Sequence, residues 1–363
     1  MRGHLDRAHA ALAAILLSVG LLVVGSARGE GSHIGYPSSI VVLGHSGATG
    51  YNSDPQRPVT DVKANSWATG TNPSVNSIYL RLLAENAAIG GRSFNLAEDG
   101  ARAADLADQA ELAVRVKPSP DLVLVQIIGN DISCDGRDAG RYPSFRATMV
   151  QSLKTLANGA PNARIFVVSD TGSVRGYATA VRDIPEARAG STGAGPCDLF
   201  TPAGAIDQAH VANLQGIIGG YERQLVAACA RFVHCRYDGG GAGTFVEEAD
   251  DFTSDYGHLA VHGQRKLAAA VWPALFDFAD RSPPTSRAMP TRSSKGKRVA
   301  LAASDNARVS GIEYKLASPV QHSLGRLPYT RYAGPLLVRR GWTFVWRAVD
   351  VNGNSEATHS LRG

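Results

Sequence analysis

Three apolar runs, residues 40–43, 121–128 and 163–169, constrain the fold of this chain more than any other feature. They are rich in Val, Ile and Leu and show no polar alternation, so each reads as a strand covered on both faces, as in a parallel sheet. Between and after them lie segments with apolar residues at helical spacing, over 75–87, 103–116, 143–157, 207–228 and 264–278, with short strands over 93–96 and 231–237. Strands alternating with helices predict an α/β domain built on a parallel sheet, with reactive groups gathered at the carboxyl ends of the strands. Two irregular stretches interrupt the pattern. One is a polar loop over 46–71, in which Tyr51 and Trp67 either line a cleft or cap the core; the other is a Gly-rich excursion over 170–205 with little regular structure.

At 363 residues the chain is long for one domain, and composition changes near Pro283. Residues 281–297 are Pro-, Ser- and Lys/Arg-rich without periodicity and read as a linker. Beyond it, residues 298–363 hold short alternating segments over 299–303, 311–316, 335–338 and 343–349, the pattern of a small all-β sandwich. At the other end, Arg2, His4, Arg7 and His9 precede an apolar run over 10–24 and then Gly25-Ser26-Ala27. This reads as a signal peptide over 1–29 cleaved near Ala27, and the run is short for a membrane anchor. The expected organisation is therefore 1–29 leader, 30–280 α/β domain, 281–297 linker and 298–363 sandwich. The formal charge of +5 is modest and partly confined to the leader and linker, which argues against a nucleic-acid partner.

In an exported chain the four cysteines form an even set. Cys229 and Cys235 are close enough to close a small loop between a helix end and the next strand, which leaves Cys134 with Cys197.

The first apolar run leads into Gly44-His45-Ser46-Gly47-Ala48, a tight turn that lifts one hydroxyl off the sheet edge and makes Ser46 the candidate nucleophile. Ala48 breaks the Gly-x-Ser-x-Gly pattern of the α/β-hydrolases. A serine needs a base, and Asp255-x-x-His258 offers one: the carboxylate fixes the imidazole tautomer and leaves the second ring nitrogen for the serine. His262 competes with His258 for that role, although the Asp spacing favours His258. Gly100, after a tight turn, and Asn130, at a strand end, supply the backbone and side-chain amides that an oxyanion hole requires. A zinc site from Asp255, His258 and His262 is disfavoured, because the glutamate of His-Glu-x-x-His is missing.

Taken in order, these four segments resemble the SGNH hydrolases, the GDSL-type esterases and lipases. Gly44-His45-Ser46 matches the first block, Glu98-Asp99-Gly100-Ala101 the second, Gly129-Asn130-Asp131 the third, and Asp255-Tyr-Gly-His258 with Gly263 the last. The resemblance covers about residues 38–278 and implies a flavodoxin-like three-layer α/β/α fold. It also implies a triad of Ser46, His258 and Asp255, and an oxyanion hole of the Ser46 and Gly100 amides with the Asn130 side chain. The family usually carries Asp where this chain has His45, a position that supports the turn. The activity implied is that of a secreted serine esterase or lipase without cofactor or metal, acting on a small-molecule or lipid ester. The alternatives are a deacetylase of acetylated polysaccharide or an inactive surface-binding relative.

Residues 299–356 are similar to the bacterial Ig-like domains appended to exported enzymes, through Ala302-Ala-Ser-Asp305, Ser310-Gly-Ile-Glu-Tyr314 and Arg347-Ala-Val-Asp350-Val-Asn-Gly-Asn354. Such a domain is expected to act as a spacer or to contact cell wall or polysaccharide. Asp350, Asn352 and Asn354 are spaced as in a calcium loop, but the loop glycine is misplaced and a turn between strands is expected.

Overall fold

A computed structural model describes residues 35–321 and 323–363; the leader expected over 1–29 lies outside them. The three apolar runs form β1 (Ile40–Gly44), β3 (Leu122–Gln126) and β4 (Arg164–Val168), and every residue in them is buried. With the shorter β2 (Ser93–Asn95) and β5 (Cys235–Tyr237) they make one parallel sheet in the order β2-β1-β3-β4-β5. That order is the doubly wound arrangement of flavodoxin-like folds.

The helices of this part are α1 (Ser46–Thr49), α2 (Ile78–Glu85), α3 (Leu106–Ala113), α4 (Asp138–Gly159), α5 (Val174–Val181), α6 (Pro185–Ala189), α7 (Gln208–Cys229) and α8 (Val261–Val271). Because successive strand residues point to opposite faces, Ile40 and Val42 share a core with Ile78, Leu82, Leu267 and Val271 of α2 and α8. Val41 and Leu43 face the other way, onto Leu106, Met149, Leu153 and Leu225 of α3, α4 and α7. The result is three layers, α/β/α.

The excursion over 170–205 departs from expectation. It contains α5 and α6, which close a third apolar cluster of Val174, Ala178, Val181, Phe200 and Val211. Helices of eight and five residues are too short to impose a periodic pattern on a sequence. Cys134 is bonded to Cys197, fastening this excursion to the segment after β3, and Cys229 is bonded to Cys235 across the turn from α7 to β5.

The C-terminal part is all-β, with two antiparallel sheets. One runs β10 (Leu336–Arg339), β7 (Gly296–Ser304), β6 (Thr285–Ser293); the other β12 (His359–Arg362), β11 (Thr343–Asp350), β8 (Val309–Ala317), β9 (Thr330–Arg331). Val299 and Val338 of the first sheet meet Ile312, Phe344 and Trp346 of the second in a shared core. The stretch expected as a linker over 281–297 is thus corrected: most of it is β6 and the turn into β7. β6 is an edge strand paired only with β7 and exposed along its second half, which tolerates Pro290 and removes the apolar alternation that marks a strand. Buried cations tie this part to the first. Arg347 donates to Asn162 Oδ1 (2.8 Å) and Glu313 Oε1 (2.6 Å), and Arg164, on β4, reaches Asn354 Oδ1 (3.2 Å). The 350–354 segment is a turn, with Asp350 Oδ1 accepting from the Asn352 and Asn354 amides, each at 2.8 Å.

Candidate active site

The turn at the end of β1 is fixed by close backbone approach. Gly44 has φ +143°, and a Cβ on it would lie 2.0 Å from the Gln126 carbonyl oxygen on β3, so only glycine fits. Gln109 of α3 clamps the same residue, accepting from the Gly44 amide at 2.7 Å and donating to its carbonyl at 3.0 Å. The chain then turns out of the sheet. His45 is extended and its Nδ1 accepts from the Gly47 amide at 3.0 Å, capping α1, whose first residue is Ser46.

Ser46 is 7% exposed, and its Oγ stands 2.9 Å from Nε2 of His258. Nδ1 of the same ring is 2.9 Å from Asp255 Oδ2. Both residues sit on a loop before α8 that is closed by Thr253 N donating to the His258 carbonyl and Ala260 N to the Asp251 carbonyl, each at 2.8 Å. Asp255 is over-determined: Thr253 Oγ1 (2.7 Å), the Gly257 amide (2.8 Å) and the His258 amide (3.0 Å) donate to Oδ1, and Asn52 Nδ2 (2.7 Å) donates to Oδ2. Burial opposes the Asp255 charge, but the hydrogen bonds from Thr253, Gly257, His258 and Asn52 outweigh it and hold the carboxyl far below the usual carboxylate range. The Tyr51 ring lies against the imidazole with centroids 4.7 Å apart.

The strand order places the remaining groups. β2 and β3 are the neighbours of β1, so the segments that follow them, 96–101 and 127–132, flank the turn that carries Ser46. Gly100 has φ +73° and Asn130 lies on a short 3-10 turn, its Nδ2 donating to the Ala101 carbonyl at 3.0 Å. That bond links the two flanking segments and sets the orientation of the Asn130 amide.

The structure therefore brings together Ser46, His258 and Asp255, and places the Gly100 and Asn130 segments beside them. It does not bring His262 to Ser46: His262 Nδ1 stands 2.9 Å from Asp251 Oδ1 instead, so the triplet of Asp255, His258 and His262 weighed as a zinc site is not formed. Of the two loop aromatics, Tyr51 reaches the site, whereas Trp67 is fully buried with its Nε1 donating to Gln126 Oε1 at 2.8 Å. Asn52 and Thr253, which hold Asp255, and Gln109, which holds Gly44, escaped the sequence reading. Asn52 lies 203 positions from Asp255, and its one local signal is membership of a long polar loop.

His45 does the work of a capping acceptor, which requires a neutral ring. Its pKa is pushed down to about 4, first by burial and then by the neighbouring charge of His258. Between the ordinary value of 6.5 and about 4, the unfolded chain binds a proton that the folded chain does not, so stability falls as pH drops through that window. His45→Asn keeps a neutral cap. Its unfolding free energy, followed by urea denaturation from pH 7 to pH 4, should gain on the wild type by at most about 3 kcal/mol as pH falls. Curves that stay parallel would show that His45 does not titrate with folding.

The profile of the GDSL-like lipase/acylhydrolase family matches residues 40–271, and the chain belongs to that family. Among solved structures it is similar to a family 3 carbohydrate esterase from Clostridium thermocellum (14% identity, 64% of this chain and 92% of that one, TM-score 0.36). It is also similar to phospholipase A1 from Streptomyces albidoflavus (16% identity, 66% and 99%, TM-score 0.36). A third is an acetyl xylan esterase variant from Geobacillus stearothermophilus (13% identity, 66% and 95%, TM-score 0.35). None of the curated proteins matches the chain.

Proposed function

We propose that this chain is an exported serine esterase that hydrolyses carboxylic esters through an acyl-enzyme on Ser46. The observation that carries the reading is the single line of contacts from Ser46 Oγ through His258 to Asp255, each link 2.9 Å. Ser46 Oγ attacks the ester carbonyl while its proton passes to Nε2 of His258, and the imidazolium so formed faces the Asp255 carboxylate. The oxyanion is held by the Ser46 and Gly100 amides and the Asn130 side chain. As the tetrahedral intermediate collapses, His258 gives the proton to the departing alcohol. It then takes a proton from the water that releases the acid and frees Ser46.

Tyr51 lies against the His258 imidazole, and neutral acyl esters or acetylated sugars are the substrates proposed for this site. Export rests on the expected leader and on the two disulfides; no helix among the described residues is long and apolar enough to cross a membrane. The C-terminal sheets are proposed to form an Ig-like module that contacts cell wall or polysaccharide.

A panel of aryl esters from acetate to palmitate, set beside acetylated xylan, tests the reading. Turnover of at least one class by the wild type and its loss in Ser46→Ala is the expected result. Well-folded protein that turns over none of them would leave the family fold without its chemistry.

A further inference from the structure

His262, which the catalytic reading leaves aside, belongs to a second cluster. Glu248 caps a short 3-10 turn that holds Asp250 and Asp251 just before the catalytic loop, and His262 is the second residue of α8, just after it. The two are forced together: Ala260 donates to the Asp251 carbonyl at 2.8 Å, and a Cβ on Gly263 would stand 2.4 Å from that same oxygen. One ligand atom from each of the four residues lies within 4.8 Å of the others.

The Asp251 side chain has no exposure at all. Its Oδ2 is satisfied, accepting from the Glu248 amide at 2.8 Å and from Lys266 Nζ at 2.6 Å. Its Oδ1 is not. That oxygen and Nδ1 of His262 stand 2.9 Å apart, yet both are buried atoms without a hydrogen-bond partner. Asp250 Oδ2 lies 3.8 Å from the same ring nitrogen. Two ligands each about 2.1 Å from one ion stand about 3 Å apart when they subtend a right angle. Three carboxylates against one ammonium, Lys266, leave a net charge of −2 when the imidazole is neutral.

We propose that Asp251 Oδ1, His262 Nδ1 and the carboxylates of Asp250 and Glu248 bind a divalent first-row transition cation, Mn²⁺ or Zn²⁺, outside the catalytic centre. One imidazole nitrogen with carboxylate oxygens is a donor set for such ions rather than for Ca²⁺ or Mg²⁺, which take oxygen alone. Bound there, the ion ties the residue before the catalytic loop to the residue after it and so clamps the segment that carries Asp255 and His258.

The experiment uses the full chain without a histidine tag, stripped with EDTA, and Mn²⁺ as the probe. Electron paramagnetic resonance counts free Mn²⁺, and thermal unfolding is read with and without the ion. The wild type should bind one Mn²⁺ per chain and melt higher with it. His262→Gln should weaken binding at least about tenfold and lose the rise in Tm. Asp250→Asn, at a position whose side chain is 77% exposed, should weaken it as well. No binding by the wild type, or binding that survives unchanged in both variants, overturns the assignment and leaves Asp251 and His262 as an ion pair only.

Discussion

Ser46→Ala is expected to lower kcat on an aryl acetate by about five to six orders of magnitude, leaving only the residual catalysis of the oxyanion hole and binding. His258→Ala should cost nearly as much, and the double variant no more than either alone, because a serine hydroxyl held 2.9 Å from its base acts with that base as one unit. Asp255→Asn should retain more activity, since a misoriented imidazole is still a base, and the Thr253 hydroxyl still has a carbonyl oxygen to donate to. Losses that multiply across Ser46→Ala and His258→Ala would mean that the two residues act independently.

Asn130→Ala is expected to reduce kcat by roughly two to three orders of magnitude with little change in KM, because a donor aimed at the oxyanion acts mainly in the transition state. The substitution also removes the bond from Asn130 Nδ2 to the Ala101 carbonyl. Asn130→Asp separates the two effects: it keeps the shape but can neither donate nor tolerate a neighbouring oxyanion, so it should be at least as poor as the alanine variant. A rise in KM with kcat held would make Asn130 a substrate-positioning residue instead.

The parts of the molecule that were legible in its sequence are those where local pattern and tertiary burial agree. β1, β3 and β4 are wholly buried, and their apolar runs announce it. The apolar spacing places the start of α4 at Pro143, yet the helix starts at Asp138 and Pro143 lies inside it. β6 was hidden because an edge strand with one partner can be polar throughout, and α5 and α6 because they are too short to show a period. In the site, Ser46, Asp255 and His258 stand out through short motifs, each written within a few consecutive residues. Asn52, Gln109 and Lys266 do not, because each acquires its meaning from a partner that only the fold supplies. The pairing of His262 with Asp251 is of the same kind: the sequence offers two histidines four residues apart, and only the fold sets one beside Ser46 and the other beside Asp251.

The most direct test of the central claim is covalent labelling with a fluorophosphonate, which requires both a nucleophilic serine and a base to deprotonate it. One label per chain is expected, mapped by peptide mass to Ser46, abolished in Ser46→Ala, nearly so in His258→Ala and largely intact in His262→Ala. Stoichiometric labelling that persists in Ser46→Ala, or none at all in well-folded protein, would contradict it.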